Sequence, residues 1–279
     1  MAFRKTEAVV IKAINLREAD KIITFFSREY GKIQGVARGV RKIRTKYSGK
    51  LELFNRVEVI FFQKTEPMQS GGFPEKHPLL GITQVDLVEA LPQFQTDFHR
   101  MIGASYIAEL LNRLFEDYDD SHKAVYILVC HTLKALATLD RIQNILPAFE
   151  LKLLAHLGYA PVFDECTVCQ RPRTQTLAES NSIQQLLGFN FATGGVLCPR
   201  CKAIKKGTFD VSPSVLNAMQ QLLETAMLYI EHVPLTPQIH QEIKPLLTGY
   251  LQYHLGIALK TDTFVQKLRS THFSTSGMV

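Results

Sequence analysis

The spacing of apolar residues changes once along this chain, near residue 93, and the change divides it into two kinds of structure. In residues 56–62 (RVEVIFF), Val57, Val59 and Phe61 alternate with Arg56 and Glu58. A period of two places one set of side chains on one face of a strand. Four further segments have strand character: residues 6–14 (TEAVVIKAI), 21–28 (KIITFFSR), 31–39 (GKIQGVARG) and 81–91 (GITQVDLVEAL). Gly31, Gly35, Gly39 and Gly49 suit turns, bulges and barrel corners better than helices. Five short strands in about ninety residues predict a small β-barrel of the oligonucleotide-binding (OB) type. Trp is absent, so Phe25, Phe26, Phe54, Phe61 and Phe62 are expected to fill the barrel. The strands around residues 64–82 flank a Gly- and Pro-rich loop, and their lengths stay open.

Beyond residue 93 the period lengthens. Phe98, Met101, Ile102, Leu110, Leu111, Leu114 and Phe115 recur at helical spacing, and a second helix is predicted over residues 124–139. A third carries Leu146, Phe149, Leu153 and Leu157 on one stripe and stops at Gly158. Ser212-Pro213 and Thr236-Pro237 each set a capping hydroxyl before a proline suited to the first helical position. Pro245 is expected to kink or interrupt the last helix. The acidic run Glu116 to Asp120 reads as a solvated turn between helices, and Cys130 as a small buried apolar residue. The fold class is α+β: an OB barrel over residues 1–92, then a mainly helical domain over 93–279 with an insert at about 160–210.

That insert holds four of the five cysteines. Cys166-Thr-Val-Cys169 and Cys198-Pro-Arg-Cys201 are two CxxC pairs with 28 residues between them. Each turn can bring two thiolates to one ion, and two such turns complete a tetrahedral zinc site with four cysteine ligands. The intervening LLGFNFATGG (186–195) reads as a hairpin, which gives the layout of a zinc ribbon. Four sulfur ligands leave no position for water, so a structural zinc ion is expected rather than a catalytic one. Disulfides or a redox pair are the other readings of such cysteines. Arg171, Arg173, Arg200, Lys202, Lys205 and Lys206 surround the site, either as solvated charge or as contacts to DNA.

The chain carries a net charge of +6, unevenly spread. Residues 1–80 hold 16 Lys and Arg against 8 Asp and Glu, while residues 81–279 hold 16 against 18. Residues 35–51 (GVARGVRKIRTKYSGKL) contain six basic residues and no acidic one. Such a stretch can match the repeating phosphates of a nucleic acid without reading its sequence. Tyr47, inside the run, is either a platform for a base or a locally packed ring. The alternative is a solvated loop on a zinc-stabilised adaptor that binds protein and not DNA.

Signatures of catalysis are missing. The chain has no phosphate-binding GxxxxGK[ST] loop, no HExxH, no GxSxG, and no HxE beside the cysteines. It is read as a non-enzyme. No apolar run is long enough to span a bilayer. Charges at Glu7 and Lys12 interrupt the apolar stretch that a signal peptide needs. The expected location is the cytoplasm, with no membrane contact.

Taken in order, these segments resemble one family. TEAVVIKAINLREADKIITFFSREYGKIQGVARGVRK (6–42) is similar to the opening barrel of the RecO recombination and repair mediators. AFELKLLAHLGYAPVFDECTVC (148–169) resembles their helix leading to the zinc segment, GGVLCPRC (194–201) their closing knuckle, and LQYHLGIALKT (251–261) their C-terminal helix. The loop at 66–78 is longer than the family's usual hairpin. The resemblance implies binding to single- and double-stranded DNA and annealing of complementary strands. It also implies partnership with RecR, contact with the acidic C-terminal tail of single-stranded-DNA-binding protein, and help in loading RecA. It further implies a bacterial protein associated with the nucleoid. Carried over residue by residue, the DNA role falls on Arg38, Arg41, Lys42, Arg44 and Lys46. The zinc role falls on Cys166, Cys169, Cys198 and Cys201.

Overall fold

A computed structural model describes residues 3–62, 79–178 and 186–257. Five strands, β1 (Phe3–Leu16), β2 (Asp20–Ser27), β3 (Gly31–Ala37), β4 (Arg56–Phe62) and β5 (Leu80–Glu89), close into a barrel in the order β1-β2-β3-β5-β4. The long first strand makes closure possible. Its residues 3–9 pair antiparallel with β4 and its residues 8–16 with β2. Ile11 is an extra residue in the β1–β2 ladder, between the pairs Val10–Phe25 and Lys12–Thr24. A bulge of this kind bends a strand and lets it serve two neighbours. The barrel is sealed by a short parallel pairing of β3 with β5, at Gly35–Leu80 and Val36–Gly81.

Val10, Ile23, Phe25, Ile33, Val57, Val59 and Phe61 pack in the barrel interior, each burial contributing roughly 1.5–3 kcal/mol. The phenylalanines divide between faces. Phe25 and Phe61 point inward; Phe26 is buried on the outside against Phe115, with ring centroids 5.2 Å apart. Phe62 is half-buried and meets Phe3, while Phe54 packs edge-on against Phe94. Adjacent strand residues face opposite ways, so Phe25-Phe26 and Phe61-Phe62 cannot all enter one core.

Helices follow: α1 (Gln93–Thr96), α2 (Phe98–Leu114) and α3 (Lys123–Thr138). Asp97 caps α2, accepting hydrogen bonds from the backbone N–H of His99 and Arg100. These bonds, that of Arg100 first, hold its carboxyl below the usual aspartate range. The buried face of α2 is Gly103, Ala104, Ile107, Leu110 and Leu111, whereas Phe98 and Met101 are exposed. The described residues 3–137 form one compact unit and 138–257 another.

The acidic run differs from the solvated turn expected of it. Asp117 pairs with Lys32 on β3 at 3.2 Å, and both side chains are 11% exposed. It also accepts a hydrogen bond from Gln34 at 2.8 Å, and the Tyr118 N–H donates to the Lys32 carbonyl. The turn therefore lies along β3. Gly31 makes room for it: its φ is +59°, and a Cβ there would sit 1.9 Å from the Asp119 carbonyl oxygen. The pairing brings together residues eighty-odd positions apart, which no local pattern signals.

In the second unit, α4 (Ile145–His156) is buried on most sides, through Ile145, Ala148, Phe149, Leu151, Leu153 and Leu154. Asn144 ties its start to the Ile230 and Val233 carbonyls. After α5 (Arg173–Ala178), strands β6 (Leu187–Asn190) and β7 (Gly195–Leu197) form the expected hairpin. Helix α6 (Pro199–Ile204) leads to β8 (Thr208–Val211), a third strand pairing with β6 that the sequence reading did not include. Helices α7 (Pro213–Glu224) and α8 (Pro237–Leu255) start at Ser212 and Thr236, whose hydroxyls accept from the N–H three residues on. Helix α8 runs through Pro245 uninterrupted. Ile243, Leu246, Leu247 and Tyr250 are buried on both sides of the proline, and packing offsets the one lost hydrogen bond.

Candidate nucleic-acid interface and metal centre

The basic run leaves β3 and crosses to β4 as an irregular loop held at both roots. At the first root, the Gly39 N–H donates to the Asp20 carboxylate at 2.8 Å and the Arg41 N–H to the Ala19 carbonyl at 3.0 Å. The Arg41 guanidinium also reaches the Arg17 carbonyl. The second root is laced to β5. Tyr47 Oη donates to the Ile82 carbonyl at 3.0 Å, Lys46 Nζ to Thr83 at 2.6 Å, and Lys50 Nζ to Val85 at 2.8 Å. Asn55 completes it by donating to the Gly49 and Lys50 carbonyls.

Side chains of Arg38, Arg41, Lys42, Arg44 and Lys46 are all exposed. Among the described residues none of the five forms an ion pair. Tyr47 is 2% exposed and belongs to the barrel core, so it is a packed ring and not a base platform. The Lys46 ammonium lies 5.1 Å from the Tyr47 ring centroid. Of the two readings of Tyr47, the packed ring is the one found; Leu51, four residues on and not singled out from the sequence, joins it in the core.

The four knuckle cysteines converge. Their sulfurs all lie within 4.8 Å of one another, with Cys169 and Cys198 3.8 Å apart. One knuckle is a tight turn in which the Gln170 N–H donates to the Cys166 carbonyl; in the other, Cys198 caps α6. Strand β7 brings the knuckles together: the Val196 N–H donates to the Val162 carbonyl, the Val162 N–H donates to the Gly194 carbonyl, and the Val196 carbonyl accepts from the Thr167 N–H. Gly195 permits that approach, because a Cβ there would lie 2.3 Å from the Val162 carbonyl oxygen.

Burial raises the Cys166 thiol, but the backbone N–H groups of Cys169, Cys198 and Val168 outweigh it and bring the pKa to about 6. Cys201 is pushed up to about 12, by burial first and then by the three neighbouring sulfurs. Such crowding of thiols and N–H dipoles suits a cation at the centre. The four side chains can hold one metal ion, and they form the only such cluster among the described residues.

Cys130 is half-buried and its thiol is raised, chiefly by burial, which removes nucleophilic character. A groove of about 400 Å³ lies between the β1 bulge and α2, lined by Lys12, Phe54, Glu109 and Arg113 among others. None of the sequence-predicted site residues lines it. No described helix is long and apolar enough to cross a membrane.

Comparison with known proteins covers both halves of this architecture. Residues 1–70 match the family described as Recombination protein O N terminal, and residues 95–263 match Recombination protein O C terminal. The chain belongs to the RecO family. A DNA repair protein RecO of Symbiobacterium thermophilum is 33% identical over 273 residues, covering 97% of this chain and 99% of its own. That of Caldanaerobacter subterraneus subsp. tengcongensis is 30% identical, covering 96% and 99%. A Streptomyces coelicolor relative is 28% identical, covering 96% and 100%. The expected family, the closed five-stranded barrel and the helical domain with its clustered cysteines are thus all found. This is a RecO-family DNA repair protein.

Proposed function

We propose that this protein is a non-enzymatic recombination mediator that binds single- and double-stranded DNA through Arg38, Arg41, Lys42, Arg44 and Lys46. Residues 1–92 act as the DNA-binding module and 93–279 as the helical domain. One observation carries the reading: five exposed cations, without ion-pair partners among the described residues, stand on a loop whose two roots are fixed to the barrel. Loop-held cations contact phosphates and fix no sequence. Positive charge between two strands offsets phosphate repulsion, so complementary strands can approach and pair. Base pairing supplies the free energy of annealing. In the cytoplasm the protein works with RecR to load RecA onto single-stranded DNA coated by single-stranded-DNA-binding protein, whose acidic tail it contacts.

We take the cysteine cluster to be a structural zinc site. Zinc at about 2.3 Å from four tetrahedral sulfurs requires them roughly 3.8 Å apart, the separation of Cys169 and Cys198. Bound zinc would neutralise the thiolates of Cys166, Cys169, Cys198 and Cys201 and cross-link the knuckles.

Fluorescence anisotropy of a labelled single strand, titrated across a salt series, tests the DNA assignment. Five phosphate contacts predict a log–log slope of roughly −3 to −4, collapsing when all five residues are changed to Ala. Unchanged binding by a folded variant removes the loop from the mechanism. No binding by either protein favours the adaptor reading.

A further inference from the structure

The loop that carries the exposed cations also carries an aliphatic side chain with no packing role. Ile43 is 101% exposed, the most exposed large apolar residue described. Its neighbours are Arg41, Lys42, Arg44 and Lys46. Its backbone is not a frayed end. The first root is pinned to Ala19 and Asp20, and the second root to Ile82, Thr83 and Val85. Only residues 42–45 project between these pins. The loop thus presents one apolar group at its tip, flanked in sequence by cations that can hold phosphates on either side.

We infer that Ile43 is a wedge that enters between adjacent bases of a DNA strand whose phosphates are held by Lys42 and Arg44. The inference rests on the DNA-binding reading of this loop and deepens it. Apolar side chains inserted at a base step unstack it, and the cost is offset by burying the side chain and drawing the backbone onto the protein. Ile43 exposes its whole side chain to water, so it gains the full apolar burial on insertion. The stapled roots mean that little of the loop's freedom is lost at that moment. Tyr47, the only aromatic in residues 35–51, is locked in the barrel, which leaves Ile43 as the one exposed large apolar side chain of the basic run. Opening a base step would turn base edges outward for a complementary strand, giving the annealing activity a local cause beyond charge.

The test uses the full-length protein and a single-stranded oligonucleotide containing 2-aminopurine, whose fluorescence rises when it is unstacked. Anisotropy of a labelled copy is followed in parallel. Wild type should bind and raise the 2-aminopurine signal at saturation. Ile43→Ala should lose that rise and bind about threefold more weakly, with the salt slope unchanged because no phosphate contact is removed. Ile43→Leu should restore the rise. If wild type binds without any fluorescence rise, or Ile43→Ala gives the full rise, the wedge is overturned and the phosphate-binding reading stands. If anisotropy shows no binding by wild type, or equal binding by the variant with all five basic residues replaced, the phosphate-binding reading falls and the wedge falls with it.

Discussion

The basic loop and the cysteine knuckles both hold irregular backbone in place, and they do it from opposite directions. The loop is fixed at its edges: Asp20, Tyr47, Lys46 and Asn55 commit their polar groups to backbone partners, and the tip faces water. The knuckles are fixed at their centre, where four sulfurs converge within 4.8 Å and the surrounding strands are only three and four residues long. An edge-fixed segment can keep charged groups unpaired for a ligand. A centre-fixed segment depends on whatever occupies the centre, because four converging sulfurs supply little cohesion of their own.

The comparison breaks most readily at the metal. Structural zinc typically supplies on the order of 10 kcal/mol to a small module. Cys198→Ser, or exhaustive chelation, should release one zinc per chain and abolish hydrogen-exchange protection across β6 and β7. DNA affinity, measured by anisotropy, should stay within about twofold because the groups proposed to bind phosphate are on the basic loop. A parallel collapse of DNA binding would show that the two regions are not independent.

Smaller changes sharpen the barrel side. Asp117→Ala strips Lys32 and Gln34 of a shared, nearly buried partner. It should cost about 3 kcal/mol in urea unfolding monitored over the barrel unit. Tyr47→Phe removes the bond to Ile82 while keeping the ring in the core. A loss of about 1 kcal/mol is expected, with DNA binding only slightly weakened as the second root loosens. The smallest effect separates two cations in the loop itself. Arg44→Ala should reduce the salt slope by about 0.7, the value of one phosphate contact to a single strand. Lys46→Ala should reduce it less, because Lys46 must first give up the Thr83 carbonyl. Equal reductions would mean that DNA releases the second root on binding.

Where patterns are local, the sequence was readable. The five strands, the capped starts of α7 and α8, the β6–β7 hairpin and the convergence of the cysteines each depend on residues a few positions apart or on one repeated motif. Where it misled, two neighbours made opposing demands or a distant partner intervened. Phe26 and Phe62 look as apolar as Phe25 and Phe61, yet strand alternation turns them outward. Asp117 belongs to an acidic run but finds Lys32 across the fold. Pro245 carries a helix-breaking residue's signature, and burial of Leu246 and Tyr250 overrides it.

By itself the sequence determined the five barrel strands and the longer helices, that the cysteines meet in pairs, and that the N-terminal part is positively charged. Those properties follow from periodicity, chirality and spacing, which act along the chain. Only the tertiary structure decided which cations are left for a ligand. Lys50 meets the Val85 carbonyl and Tyr47 enters the core, whereas Arg38, Arg41, Lys42, Arg44 and Lys46 stay exposed, Lys46 while bonded to the Thr83 carbonyl. That selection depends on barrel closure, which brings residues some 35 positions apart into hydrogen-bond range.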